Sequence, residues 1–355
     1  MPQDLSAPPT MIGSEIPLID VSGFLAGRPD AAKRAAAELR FAFEKVGFYY
    51  LGGHGVPQAL IDATYAAAAR FHAQPLEAKL AVKVDEHNIG YMPIARKPPP
   101  NAAAQGKKPS QNEAYFLRRE RSPDDPDVVS NRRFHAMNKW PVDLPGFRET
   151  TLAYMGALEA LCRRLVPLYA LALDLPATFF DACFARPHMI LRMSRYPLID
   201  AADESTASLV PHTDSGFMTL LPPNKVQGLS ILLPDGRWMD APHVEDAFVV
   251  NGGDILPPLD QRAVPVDAAS RAQPLGPGPL RHPLLLRSRP RHRDRMPANL
   301  SLRGAAGEIP TDQVRRLCAL VRHAALRAPA ERGGADRRRD RARRAGHRSM
   351  VIGRW

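Results

Sequence analysis

Between His188 and Asp254 the chain breaks into short apolar runs at near-regular spacing: MILRMSRYP, GFMTLLP, GLSILLP and DAFVVNGGD. Turn residues separate them, at Asn224–Lys225 and Asp235–Gly236. Runs of this length, bounded by Gly, Pro, Asn and Asp, read as strands. Several such strands in succession bury their apolar faces by closing into a sandwich or jelly roll. No other feature constrains the fold as tightly.

The first half supplies the elements that would flank such a core. IPLIDVSGF (16–24) reads as a strand and a turn, and GFYYLGGHGVP (47–57) as a buried strand ending in a glycine turn. Between them Asp30 is placed to cap a helix running to Val46, with Leu39, Phe43 and Val46 on one face and Gly47 as its stop. A second helix is expected from Gln58 to about Val82, and a loop over 97–109, KPPPNAAAQGKKP. Residues 147–173 carry Leu152, Met155, Cys162, Leu165, Val166 and Tyr169 at helical spacing and predict one long helix.

After Gly253–Asp254 the pattern stops. Residues 256–355 contain 22 Arg, no Lys and 8 acidic residues, a net +14, with Trp355 as their only aromatic. The preceding residues hold 26 basic and 29 acidic side chains, a net −3. The overall +11 is thus the property of one segment, which weakens a nucleic-acid reading of the whole chain. Neither a strand nor a helix is expected from Pro257 to about Pro310, too long a structureless stretch for the interior of a compact domain. Three cysteines (Cys162, Cys183, Cys318) without a C-x-x-C suggest thiols rather than disulfides, hence a cytoplasmic protein. No secretory h-region and no apolar stretch of roughly 20 residues is seen, so no membrane association is expected.

One motif carries chemistry. In VPHTDSGFMTLL (210–221), His212 and Asp214 are two apart, and in a strand such residues face the same side. An imidazole and a carboxylate so placed, joined by a distant second His, make the 2-His-1-carboxylate triad that leaves open positions on Fe(II). Alone, H-x-D is a weak signal, since a surface His beside a turn Asp looks the same.

Its context is more specific. IPLIDVSGF, FEKVGFYYLGGHGVP, LRMSRYP (191–197), HTDSGFMTLL and GLSILLPDGRWMDAPHVEDAFVVNGGD together resemble, in order and spacing, the isopenicillin N synthase-like branch of the non-haem Fe(II), 2-oxoglutarate-dependent oxygenases. The resemblance spans most of residues 16–255. It implies a mainly β fold with flanking helices around a double-stranded β-helix (jelly roll) core. The implied division is an N-terminal region over 1–150, the long helix with a partial jelly roll over 151–255, and a disrupted remainder over 256–355. It also implies Fe(II) and 2-oxoglutarate as cofactors, His212 and Asp214 as metal ligands, and Ser194 and Tyr196 against the co-substrate. The reaction implied is O2-dependent hydroxylation, desaturation or ring closure of a small molecule; the chain itself is expected to be a monomer. An ethylene- and succinate-forming oxygenase and a non-catalytic pseudoenzyme are the alternatives.

The family's next motifs are R-W-x-N, then S-T-P-H-R-V with the third ligand, then R-x-S for the distal carboxylate. None is present as written; His243, His282 and His292 are weak substitutes. The genetic code accounts for this. When the last two bases of each codon are joined to the first base of the next, Pro258–Arg271 can read R-W-T-N-E-R-F-L-S-T-P-H-R-V, with the His codon across Ala269 and Ser270. Ala272–Ser288 can then read R-S-R-S-G-R-D-R-Y-A-I-P-F-F-F-D-P. These readings indicate a single-frame slip near 255–257, and an out-of-frame GC-rich gene explains the Arg- and Pro-rich composition. The shifted frame gives R-Y-A in place of R-x-S.

Other residues read as structural. Asn251–Asp254 is expected to be a turn, His54 a turn residue and Cys162 core. Glu113 and Tyr91 are expected in loop packing, with a substrate mouth as the alternative.

Overall fold

The computed structural model describes residues 9–13, 15–95, 112–196, 214, 217–225, 229–233, 235–252, 268–269 and 284–286. The loop expected over 97–109 lies outside them. The strands are β1 (Thr10–Ile12), β2 (Ile16–Asp20), β3 (Phe48–Gly52), β4 (Gly90–Met92), β5 (Glu113–Arg118), β6 (Ile190–Arg195), β7 (Met218–Leu221), β8 (Ser230–Leu232), β9 (Trp238–Asp240), β10 (Phe248–Gly252), β11 (Ala268–Ala269) and β12 (Leu284–Leu286). The described helices are α1 (Ser22–Leu25), α2 (Ala31–Lys45), α3 (Gln58–Ala73), α4 (Leu76–Ala81), α5 (Pro126–Val129), α6 (Phe147–Ala172) and α7 (Asp181–Phe184). None is long and apolar enough to cross a membrane.

Three sheets form, in the orders β1-β2-β3-β10-β7, β12-β6-β5-β4 and β11-β8-β9. Since β12 pairs with β6 and also lies against β7, the first two sheets continue into one broad surface. One face of this surface is covered by helices. Tyr49, Leu51, Tyr115, Leu117, Leu191, Met193, Met218, Leu220, Phe248 and Val250 meet Ile61 and Phe71 of α3 and Tyr154, Leu158 and Leu165 of α6 in a single buried cluster. The alternate residues turn the other way. Phe48, Tyr50 and Val249 pack with Ile231 of the small sheet and Leu233 just after it, which closes the opposite side. The expected jelly-roll arrangement is therefore present, with helices on one side and an interior between the two sheet layers.

Local chemistry explains several boundaries. Gly47, at φ +84°, stops α2, and its N–H donates to Ala42 O at 2.8 Å. Asp30 occupies the N-cap position as expected but makes no capping hydrogen bond; it is left-handed, at φ 58°, and sits 3.5 Å from Lys33 Nζ instead. The single helix expected over 58–82 is broken at Gln74–Pro75 into α3 and α4, because a proline at 75 supplies no N–H to continue the ladder. The long helix predicted over 147–173 is α6, with Leu173 as its C-cap. Glu113–Arg118 is strand β5, not a loop, and β9 adds a strand that periodicity did not reveal.

Two short strands, β11 on β8 and β12 on β6, occur where none was expected. Pairings of two and three residues are too brief to leave a period in the sequence. Cys183 is disulfide-bonded, against the expectation of free thiols; Cys162 is free, and the partner lies outside the described residues.

Candidate metal centre

Asp214 precedes β7 and is 4% exposed. Asn251 Nδ2 donates to its Oδ2 at 3.2 Å. Asn251 belongs to β10, where it pairs in register with Thr219 of β7. Residues directly opposite in an antiparallel pair share a face. Their strand neighbours Val250, Met218 and Leu220 all lie in the helix-side cluster, so Asn251 and Thr219 face the interior between the sheets. The expected turn at Asn251–Asp254 is thus corrected in its first half: Asn251 and Gly252 are strand residues. The signal was in the sequence, because extending the alternation of FVVN by one residue puts Asn251 at an interior position.

Asn251 is neutral, and its hydrogen bond orients the buried Asp214 carboxylate. A divalent cation suits this oxygen donor, and a ligand of this kind suits Fe(II). His212, the expected second ligand, lies outside the described residues. Among the described residues no cluster of three or more His, Cys, Asp or Glu could hold a metal.

Ser194 and Tyr196 are both buried. On β6, Leu191 and Met193 belong to the helix-side cluster, so Arg192 and Ser194 project to the interior. Arg192, 4% exposed, has its guanidinium 5.6 Å from the centre of the Phe116 ring. No sequence motif singles it out, although its place two residues before Ser194 gives it the same parity. His243 lies in the coil before β10, remote in the chain from any metal motif, and His282 and His292 are outside the described residues.

Behind this wall, on the helix side, lies a second polar group. Glu113 Oε2 accepts from Lys79 Nζ at 2.9 Å and from the Tyr91 hydroxyl; Oε1 accepts from Arg195 Nη1 at 2.8 Å and is 3.6 Å from His72 Nδ1. Burial alone would raise the Glu113 pKa, but the neighbouring His72 and the hydrogen bonds from Tyr91, Arg195 and Lys79 outweigh it and hold the carboxyl well below the usual carboxylate range. Glu113 and Tyr91 therefore lie in a strand-to-helix network and not in loop packing. His54 has the structural place expected of it. Its Nδ1 accepts from the Val56 N–H at 3.0 Å, and its ring lies 4.5 Å from that of Phe248.

Comparison with known proteins agrees with this layout. Residues 16–143 match the family model described as the non-haem dioxygenase in morphine synthesis N-terminal region, and residues 187–265 match that of the 2OG-Fe(II) oxygenase superfamily. A 2-oxoglutarate-Fe(II) type oxidoreductase of Emericella nidulans is 32% identical over 248 residues, covering 68% of this chain and 70% of that one. The validamycin A dioxygenase of Streptomyces hygroscopicus subsp. limoneus is 28% identical, covering 69% and 68%. Among solved structures, a full-length Neurospora crassa protein crystallised in complex with alpha-KG superposes with a TM-score of 0.64 at 27% identity, over 76% of this chain and 83% of that one. Two matching family models in sequence, a jelly roll with helices on one side, and an interior carboxylate converge: the chain belongs to the 2-oxoglutarate/Fe(II) oxygenase superfamily, whose cofactors are Fe(II) and 2-oxoglutarate.

Proposed function

We propose that this protein uses O2 and 2-oxoglutarate to hydroxylate, desaturate or ring-close a small organic molecule, with His212 and Asp214 as metal ligands and Ser194 and Tyr196 against the co-substrate. The observation that carries this reading is the buried Asp214 carboxylate, held by Asn251 on the interior face that Ser194 also occupies. Bound Fe(II) with 2-oxoglutarate would supply the oxidising chemistry. The chain's own part is to hold that pair, to orient the substrate beside it and to exclude water. The sheet layers do the last through Phe48, Tyr50, Val249, Ile231 and Leu233. Relatives act on small molecules, as the name of the validamycin A dioxygenase and the thymine complex of the Neurospora crassa protein indicate, which supports a small-molecule substrate here.

The third ligand belongs, in this reading, to the other frame across Ala269–Ser270. The superfamily match ends at residue 265, short of that position. Resequencing codons 245–330 tests this directly: one base gained or lost restores the third His. In a frame-restored gene, His212→Ala or Asp214→Ala should abolish 2-oxoglutarate turnover, and turnover at the parent rate would overturn the ligand assignment. If the recorded sequence stands, a non-catalytic relic is the better account, because two ligands hold Fe(II) far less firmly than three. Calorimetric titration of the chain as written with Mn(II) under argon separates the two, since micromolar binding counts against a relic.

A further inference from the structure

Thr219 is 1% exposed, and its hydroxyl has no hydrogen-bond partner among the described residues. It stands opposite Asn251 in the β7–β10 register, on the same interior face, and Asn251 in turn donates to Asp214. A buried hydroxyl left unmatched is disfavoured, and native structures keep few of them without a reason. Nothing about the strand demands a hydroxyl here. Valine has the same branched shape, the same β preference and no desolvation penalty. The position thus tolerates an unfavourable group within a cross-strand pair that already touches the interior carboxylate.

We propose that Thr219 and Asn251 form a polar floor to the site with divided roles. Asn251 is a positioning residue: its Nδ2 engages Asp214 Oδ2 and so fixes the rotation of the carboxylate toward the cation. Thr219 is a binding residue: its hydroxyl donates to a carboxylate oxygen of the 2-oxo acid when that ligand sits beside Asp214. The ligand class is a small carboxylate-bearing acceptor. The pairing costs the ligand-free protein an unmatched hydroxyl, and ligand binding matches it. This inference rests on the assignment of Asp214 to a metal.

The test uses the full chain, with Thr219→Val, Thr219→Ser and Asn251→Ala, in two arms. The first is thermal unfolding without metal or 2-oxoglutarate. Thr219→Val should leave the midpoint unchanged or raise it, because it deletes an unmatched hydroxyl; a clear fall would show that the hydroxyl is already matched within the fold and would overturn the proposal. This arm needs no metal site, so it decides whether the Thr219 hydroxyl is unmatched even if the metal assignment fails. The second arm is calorimetry with Mn(II) under argon, followed by 2-oxoglutarate. Asn251→Ala should weaken Mn(II) binding by about 10- to 100-fold, the effect typical of losing a partner that orients a ligand. Thr219→Val should leave Mn(II) affinity intact and weaken 2-oxoglutarate roughly tenfold or more, with Thr219→Ser restoring it, as expected for one hydrogen bond to a charged group. Parent-like 2-oxoglutarate affinity in Thr219→Val overturns the role of Thr219, and parent-like Mn(II) affinity in Asn251→Ala overturns that of Asn251. Where the chain as written, lacking the third ligand, binds no Mn(II), this arm is run on the same variants of the frame-restored protein; absence of Mn(II) binding there counts against the metal assignment itself and so against both roles.

Discussion

Replacing Glu113 by Gln removes one negative charge and little else, and the surroundings of that carboxylate determine the cost. Lys79 and Arg195 both contact it, but they differ in exposure: the Lys79 side chain is 8% exposed and that of Arg195 38%. Arg195 can turn toward water, so its loss of a partner costs little. Lys79 cannot, and it would be left as a buried cation beside a neutral amide and the His72 carbonyl, 3.2 Å away. Breaking a buried pair by removing one member costs about 3–5 kcal/mol. Because Gln still accepts from Lys79 and Tyr91, the lower end applies, about 3 kcal/mol, which corresponds to a fall of roughly 6–12 °C in midpoint for a body of this size. Glu113→Gln combined with Lys79→Met should recover most of that loss, since both charges then go together.

The pH dependence has a defined sign. The Glu113 carboxyl in the fold lies below its ordinary value of 4.5, so its stabilisation is complete above that value and is lost as pH falls toward the native-state value. Glu113→Gln should therefore flatten the acid limb of the stability profile below about pH 4.5 while lowering its plateau. Thermal unfolding by circular dichroism, run across the acid limb and up to neutral pH, measures both. A plateau change smaller than about 1 kcal/mol, with an unchanged acid limb, would refute the reasoning that this carboxylate neutralises Lys79.

Two further outcomes are expected. His188 is held neutral: burial and then the nearby guanidinium of Arg118, which donates to its Nε2, depress its pKa well below 6.5. Its contribution is present above that value and is lost as pH falls through the window beneath it, so His188→Gln should lessen the drop in midpoint between about pH 7 and 5, and an identical drop in both proteins would remove His188 as its cause. Gly53 has φ +62°, and an added Cβ would run into the Asp20 carboxylate and come within 2.8 Å of Ser22 Cβ. Gly53→Ala should cost about 1–2 kcal/mol from the left-handed backbone alone, with the clash added, and a parent-like denaturant midpoint would show that the turn rearranges freely.

The architecture was largely readable because burial leaves a period. FYYLG, MTLL and FVVNG are strands with apolar residues on both faces, and the spacing along 147–173 marked α6 closely. What escaped was of two kinds. β4, β9, β11 and β12 are too short for alternation to register. Glu113 and Asn251 are polar residues in strands, which composition assigns to loops and turns, and Arg192 lies in a strand that was read but carries no motif. Their meaning lies in partners far along the chain: Lys79 and Arg195 for Glu113, Asp214 for Asn251. Of the four site residues read from sequence, Asp214, Ser194 and Tyr196 are buried, and His212 lies outside the described residues. Ser194 and the Asn251 that holds Asp214 both alternate with helix-side residues and so face the interior. Alternation along the strand does not link Thr219 to Asp214, from which it sits at odd spacing. Only the register with Asn251 reveals which way Thr219 points.

The pairing of β3 with β10 has a consequence for synthesis. Phe48 lies opposite Asn251, so about 200 residues separate partners at the centre of the main sheet. Until residue 252 has left the ribosome, one edge of β3 is open, with Phe48, Tyr49, Tyr50 and Leu51 available to any other strand. Loop closure over such a separation is slow, and an open apolar edge recruits neighbours. A nascent chain interrupted before Gly252 should be captured by holding chaperones or aggregate. One interrupted just after it has closed that seam, whatever reading frame supplies the residues beyond.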